Sequence, residues 1–242
     1  MAAGSRRPRR WFLRAWPGSI EPAVRIQECV RRAVRIGGPF RAEDARYVAG
    51  IDASFSSDGL RSFCAAIVVD LVTGETVETA TAEESTRFPY VPGFLTFREG
   101  PAVVRAVRKL SSPPDALLID GQGLAHPRRC GIASHVGACL DLPAVGCAKS
   151  RLVGESDEPG PRKGDDAPLF FEGEQVGLVL RSRDRTKPLY VSVGHAVSLE
   201  ESKRLVLRAT GRYRIPEPLR RAHHVVTLLR QEGELKRRRG GR

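Results

Sequence analysis

The stretch Tyr47-Val48-Ala49-Gly50-Ile51-Asp52, answered further along by Ala116-Leu117-Leu118-Ile119-Asp120, decides how this chain is read. Each is a short apolar run closed by a carboxylate, the pattern of a core strand that emerges at an aspartate. A carboxylate at such a tip is costly to desolvate unless something positive meets it. A third acid, Glu99, opens a helical segment between the two runs. Three converging carboxylates repel one another, and a divalent cation is the simplest remedy. Oxygen-only ligands favour magnesium, with manganese able to substitute, and these ions keep several waters and usually engage substrate phosphates. Taken singly, either aspartate also reads as a turn former or helix cap.

Working outward, Glu21 to Arg35 carries apolar residues at helical spacing: Ile26, Cys29, Val30, Ala33 and Val34. The period then changes. Tyr47 to Ala53, Phe63 to Leu71 and Thr76 to Thr81 read as three strands, the last two joined by Val72-Thr73-Gly74-Glu75. Short links imply an antiparallel meander. A helix from Phe94, with Val103, Val104, Val107 and Leu110 recurring, stops at Pro113-Pro114. Beyond the strand to Asp120 come a helix over Gly131 to Leu140 and a strand over Ala144 to Ala148, an alternation that argues for parallel pairing. Gly154 to Gly173, rich in Gly, Pro and charge, reads as a mobile loop. Strands follow at Val176 to Leu180 and Leu189 to Val193, and helices at Leu199 to Ala209 and Glu217 to Leu229. The expected fold class is α/β, a ribonuclease H-like mixed sheet flanked by helices. Its first strand lies centrally and pairs in parallel with the fourth, so that Asp52 and Asp120 emerge side by side.

With 242 residues and 41% hydrophobic content the chain can bury a sizeable core. We expect a single catalytic domain over residues 21–231, preceded by a flexible basic extension over 1–20 and followed by a basic tail over 232–242. A net charge of +12, from 40 Lys plus Arg against 28 Asp plus Glu, makes nucleic acid the default partner. An Arg-rich genome bias produces the same composition. The five cysteines include no Cys-x-x-Cys pair, which argues against a zinc site or disulfide framework. No apolar stretch is long enough to cross a membrane, and the segment after Arg6 to Arg10 is too weakly hydrophobic for a secretory signal. A soluble, cytoplasmic monomer is expected.

The sequence becomes specific in its motifs. Val48-Ala49-Gly50-Ile51-Asp52, Phe88-Pro89-Tyr90-Val91-Pro92-Gly93-Phe94-Leu95-Thr96-Phe97-Arg98-Glu99, Asp120-Gly121-Gln122-Gly123-Leu124-Ala125-His126-Pro127-Arg128 and Gly131-Ile132-Ala133-Ser134-His135 stand in colinear order. Gly146-Cys147-Ala148-Lys149-Ser150-Arg151-Leu152, Val191-Ser192-Val193-Gly194-His195 and Ile215-Pro216-Glu217-Pro218-Leu219-Arg220-Arg221-Ala222-His223 continue the series. Together they resemble the endonuclease V family, the inosine-directed nucleases, from about Tyr47 to Leu229.

The resemblance implies a magnesium-dependent DNA repair enzyme that recognises deoxyinosine, whose base is hypoxanthine, and cuts the second phosphodiester on its 3′ side. Cleavage of inosine-containing RNA is the alternative. It also implies that Asp52, Glu99 and Asp120 are the metal-binding carboxylates and His223 the active-site histidine. The residue pattern agrees, since on a helix from Glu217 the side chains Leu219, Ala222, Val226 and Leu229 form the inward stripe with His223 beside it. Lys149, leaving a core strand in a Lys-poor chain, is the natural charge to meet a phosphate oxygen. By the same resemblance Gly93, Leu95, Gly121 and Ile132 line the base pocket and Tyr90 is a strand-separating wedge, stiffened by Pro89 and Pro92. His126, with Arg128 and Arg129, reads as charge that contacts the nucleic-acid backbone.

Overall fold

In the computed structural model residues 15–240 are described. They form one eight-stranded mixed sheet in the order β3-β2-β1-β4-β5-β8-β7-β6, with helices on both faces. β1 (Tyr47–Phe55), β2 (Arg61–Asp70) and β3 (Thr76–Ser85) make the antiparallel meander. β4 (Ala116–Ile119) runs parallel to β1, with Ile51 opposite Ile119, so Asp52 and Asp120 leave neighbouring strands at the same level. β5 (Ala144–Ala148) is parallel to β4, whereas β8 (Leu189–His195) turns back antiparallel against it. The central placement of the first strand beside the fourth is as expected.

The strand period of two distributes side chains between the layers. Ala49, Ile51, Leu117 and Ile119 face a core built with α1 (Ile20–Ala33), α2 (Thr96–Arg108) and α3 (Ile132–Leu140). Val48, Ala116, Leu118 and Val145 face the opposite side, under α4 (Leu199–Ala209) and the start of α5 (Glu217–Gly240). Asp52 shares parity with Val48 and Gly50, so it emerges on the α5 side, where His223 waits.

Gly50 shows how tightly α5 is laid on β1. A Cβ there would lie 2.0 Å from the carbonyl carbon of Pro218 and 2.5 Å from the Leu219 nitrogen, backbone atoms with nowhere to go. Gly50→Ala is expected to cost about 3 kcal/mol, as overpacking against backbone does, and to lower the thermal midpoint by at least about 5 °C for a chain of this size. A thermal melt with no shift would show that α5 sits less closely on the strand.

Three expectations change. The segment read as a mobile loop, Gly154 to Gly173, contains the edge strand β6 (Asp166–Phe171), paired antiparallel with β7 (Glu174–Leu180). Its Gly, Pro and charge content hid a period-two pattern in which Ala167 and Leu169 are buried between exposed neighbours. The helix expected to end at Leu229 runs on to Gly240, so residues 232–240 continue α5. Of the N-terminal extension, Arg6 to Arg10 lie outside the described residues, but Trp16 packs on Phe97 and stacks on His135 at 4.9 Å between ring centroids. All five cysteines are free. No helix among the described residues is long and apolar enough to cross a membrane.

Candidate active site

At the carboxyl ends of β1, β4 and β5 the structure opens a cavity of about 440 Å³. Asp52, Glu99, Asp120 and Lys149 line it together with Tyr90, Gly93, Leu95, Gly121, His126 and Ile132. Ten of the eleven residues singled out in the sequence therefore share one space. The eleventh, His223, joins through Asp52, its Nδ1 standing 2.7 Å from Asp52 Oδ2.

The acids are poorly solvated. Asp52 is 7% exposed and Glu99 8%. Burial first, then repulsion from Asp52 and Asp120, pushes the Glu99 carboxyl up to about 8. Burial and the nearby Asp120 charge likewise raise Asp52, against the opposing hydrogen bond from His223. Lys149 Nζ lies 2.5 Å from Asp120 Oδ2. Burial alone would lower this ammonium, yet the carboxylates of Asp120 and Asp52 outweigh it and hold Lys149 above its ordinary value, firmly charged. With Asp52 ionised, the His223–Asp52 bond places the imidazole proton on Nδ1 and leaves Nε2 to accept.

Among the described residues no three His, Cys, Asp or Glu side chains are gathered closely enough to hold an ion directly. Two of the carboxylates instead engage Lys149 and His223. The donor set still fits a hydrated divalent ion, which needs few direct protein ligands because it retains water. Glu99 supplies the sharpest sign: burial and the neighbouring acids push its carboxyl up to about 8, so that near pH 7 it keeps a proton which a bound cation would displace.

The part of the lining around Gly93 is braced through its backbone. Gly93 has φ +79°, a left-handed conformation that glycine adopts without strain. Its carbonyl accepts hydrogen bonds from Gln27 at 2.9 Å, His126 Nε2 at 3.0 Å and Arg128 at 2.8 Å. His126 is thus a donor through Nε2 and an acceptor through Nδ1, which takes the Arg128 amide at 3.1 Å. Burial, and then Arg128, push its titration down to about 4, so the ring is neutral near pH 7. Leu95 and Thr96, which line the cavity, stand at the start of α2, where the amides have no partner within the helix.

The basic trio expected on the nucleic-acid backbone behaves otherwise. His126 is uncharged and buried. Arg128 lies over the Phe94 ring at 4.0 Å and bonds Gln27 and Gly93. Arg129 is 6% exposed and is spent on the Phe171 carbonyl and Glu174. Sequence reasoning missed Gln27, which is fully buried on α1. Its one signal is a polar residue next to Ile26 inside the apolar stripe. Tyr90, by contrast, lines the cavity and is 73% exposed.

Comparison with known proteins agrees with this geometry. The Endonuclease V family profile matches residues 28–224. An endonuclease V of Nostoc punctiforme is 49% identical over 212 residues, covering 88% of this chain and 96% of its own. The crystal structure of the endonuclease V from Streptomyces avermitilis superposes with a TM-score of 0.86 at 38% identity, over 91% of this chain and 97% of that one. The endonuclease V of Ciona intestinalis, crystallised with a 24mer DNA containing an inosine followed by a ribo-adenosine, matches with a TM-score of 0.73 at 27% identity, over 87% and 95% of the two chains. On sequence, fold and the gathering of acids at the strand tips, this chain belongs to the endonuclease V family and is a nuclease.

Proposed function

We propose that this nuclease is a magnesium-dependent enzyme that draws a hypoxanthine base into the cavity and cuts the strand at the second phosphodiester on its 3′ side, in DNA repair. The single observation that carries the reading is the convergence of the acids, Lys149 and the lining around Gly93 on one cavity. The relative from Ciona intestinalis, bound to DNA containing an inosine, supports it.

Recognition follows from hydrogen-bond polarity. A base judged by its edge must leave the stack and enter a tight pocket. Hypoxanthine carries an oxo acceptor where adenine carries an amino donor. Leu95 and Thr96 line the cavity at a helix start, where amides without a partner in the helix favour an acceptor and repel a donor. The neutral His126 keeps the Gly93 backbone in place without bringing a charge to an uncharged base.

Asp52, Glu99 and Asp120 would hold magnesium, which when bound supplies an acidified water and neutralises charge on the scissile phosphate. Lys149, held charged, can shift from Asp120 to a phosphate oxygen as negative charge grows there. His223 Nε2 is free to take a proton from the attacking water, and Asp52 at Nδ1 steadies the imidazolium that results.

Tyr90 fills the stack when the base leaves it. Tyr90→Ala is expected to weaken affinity for an inosine-containing duplex about tenfold, the scale of one lost stacking contact, while affinity for undamaged duplex changes far less. An equal loss on both duplexes, measured by fluorescence anisotropy, would argue against a wedge. The reading as a whole is tested by mapping products from matched strands bearing inosine, adenine or guanine, in deoxy and ribo form, with magnesium. We expect cleavage at inosine only, at the second 3′ phosphodiester. The ribo-adenosine in the Ciona complex gives the ribo arm its weight; faster cutting there would make RNA the substrate, and cutting without regard to inosine would end the proposal.

A further inference from the structure

Arg98 precedes Glu99 on α2, and its guanidinium acts on that acid only through its charge, its hydrogen bonds being spent elsewhere. It is 9% exposed, and its guanidinium donates to the Phe88 carbonyl at 2.6 Å through Nη1 and to the Gly59 carbonyl at 2.9 Å through Nη2. The flat of the group lies over the Phe55 ring, 4.6 Å from its centroid. Three separate parts of the chain therefore meet at one cation: the end of β1, the β1–β2 turn, and Phe88, the residue at which the Pro89-Tyr90-Val91-Pro92 segment begins.

The turn is a firm anchor. The Gly59 amide bonds the Ser56 carbonyl, the Ser56 amide bonds the Arg61 carbonyl, and the Ser56 hydroxyl meets Asp58. α5 adds to it from outside, with Glu234 accepting from the Ser57 amide and Arg237 paired with Asp58. Phe88 in turn sits in an aromatic floor with Phe94 and Phe97, at 5.8 and 5.4 Å between ring centroids. At the far end of the segment Arg128 holds the Gly93 carbonyl and covers Phe94. The exposed Tyr90 is thus carried on a short, proline-stiffened span fixed at each end by a guanidinium on a carbonyl.

We propose that Arg98 is a positioning residue for strand separation: it fixes the root of the Tyr90 segment to the β1–β2 turn, so that pushing against a base pair moves the base pair and not the loop. The inference rests on the strand-separating role proposed above for Tyr90. A planar fork suits the task, because it grips two carbonyls in one plane and stacks on an aromatic face, which an ammonium does only in part. The guanidinium bonds none of the acids, and what its charge does to Glu99 is common to single-stranded and duplex substrates, so the positioning role is read from the ratio of the two.

The test compares single-turnover cleavage of one inosine-containing strand, alone and annealed to its full complement, by the full chain and by Arg98→Met, Arg98→Lys and Tyr90→Ala. A defect in folding or in Glu99 placement lowers both substrates alike. Loss of positioning lowers the duplex-to-single-strand rate ratio, by about tenfold for Arg98→Met given the cost of unpairing, with Arg98→Lys between that and the parent. If the methionine variant does not fold, the lysine variant, which keeps the charge, carries the comparison alone. Equal losses on both substrates, or no loss on either, overturn the inference. A duplex-selective loss in Tyr90→Ala with none in the Arg98 variants overturns it alone, whereas no selective loss in Tyr90→Ala brings down the strand-separating reading with it.

Discussion

Asp120→Asn is expected to lower strand cleavage at saturating magnesium by about a thousandfold or more, equivalent to about 4 kcal/mol of barrier. The substitution keeps the shape of the side chain and removes only its charge. Two consequences follow from the geometry. A carboxylate oxygen that would hold the ion is lost, and Lys149, whose Nζ stands 2.5 Å from Asp120 Oδ2, loses the partner that aims it. Binding of an inosine strand should change little, because Asp120→Asn leaves Gly93, Leu95 and Ile132, which line the same cavity, in place. Single-turnover cleavage and an anisotropy titration on the same variant separate the two quantities. Cleavage within a few fold of the parent would remove Asp120 from the machinery, and Asp52→Ala is expected to behave the same way.

The second large effect has opposite signs in activity and stability. Glu99 is pushed from the ordinary glutamate value of 4.5 up to about 8 by burial and by Asp52 and Asp120. The folded protein therefore binds a proton that the unfolded chain releases. Stability from this group is full below about pH 4.5 and is lost as pH rises through 8. Glu99→Gln supplies a permanently neutral isostere. In the absence of divalent ions the variant should be more stable than the parent at pH 8 by on the order of 4 kcal/mol, close to it near pH 4.5, and inactive in cleavage. Magnesium should raise the melting temperature of the parent more than that of the variant. Equal melting temperatures for parent and variant across pH 5 to 8, without divalent ions, would show that no charge strain is stored at Glu99.

How much of this was legible in the sequence depends on range. Asp52 and Asp120 were readable because each closes an apolar run, and their adjacency followed once β1 and β4 were taken as parallel neighbours. His223 came from the resemblance to the family, and helical spacing only placed it beside the stripe of Leu219, Ala222 and Val226, all three of which are buried. β6 was not, because Gly, Pro and charge around it outweighed a short alternation at Ala167 and Leu169. The basic trio was misjudged for a related reason. A charge in a sequence reads as solvated until its partner is known, and the partners of Arg129 lie at Phe171 and Glu174, more than forty residues on.

The amino-acid order by itself determined the alternation of periods, the acids at strand ends and the proline-stiffened Tyr90 segment, since each is a local pattern within one element. Only the tertiary structure decided that His126 is a neutral clamp on Gly93, that Gln27 reaches across from α1 to the same carbonyl, and that Arg98 ties Phe88 to Gly59. Those bonds join residues separated by 10 to 66 positions. Which buried donor finds which carbonyl is settled by how the layers pack, because an unpaired polar group inside a core is too costly to leave and takes whatever partner the packing brings within reach.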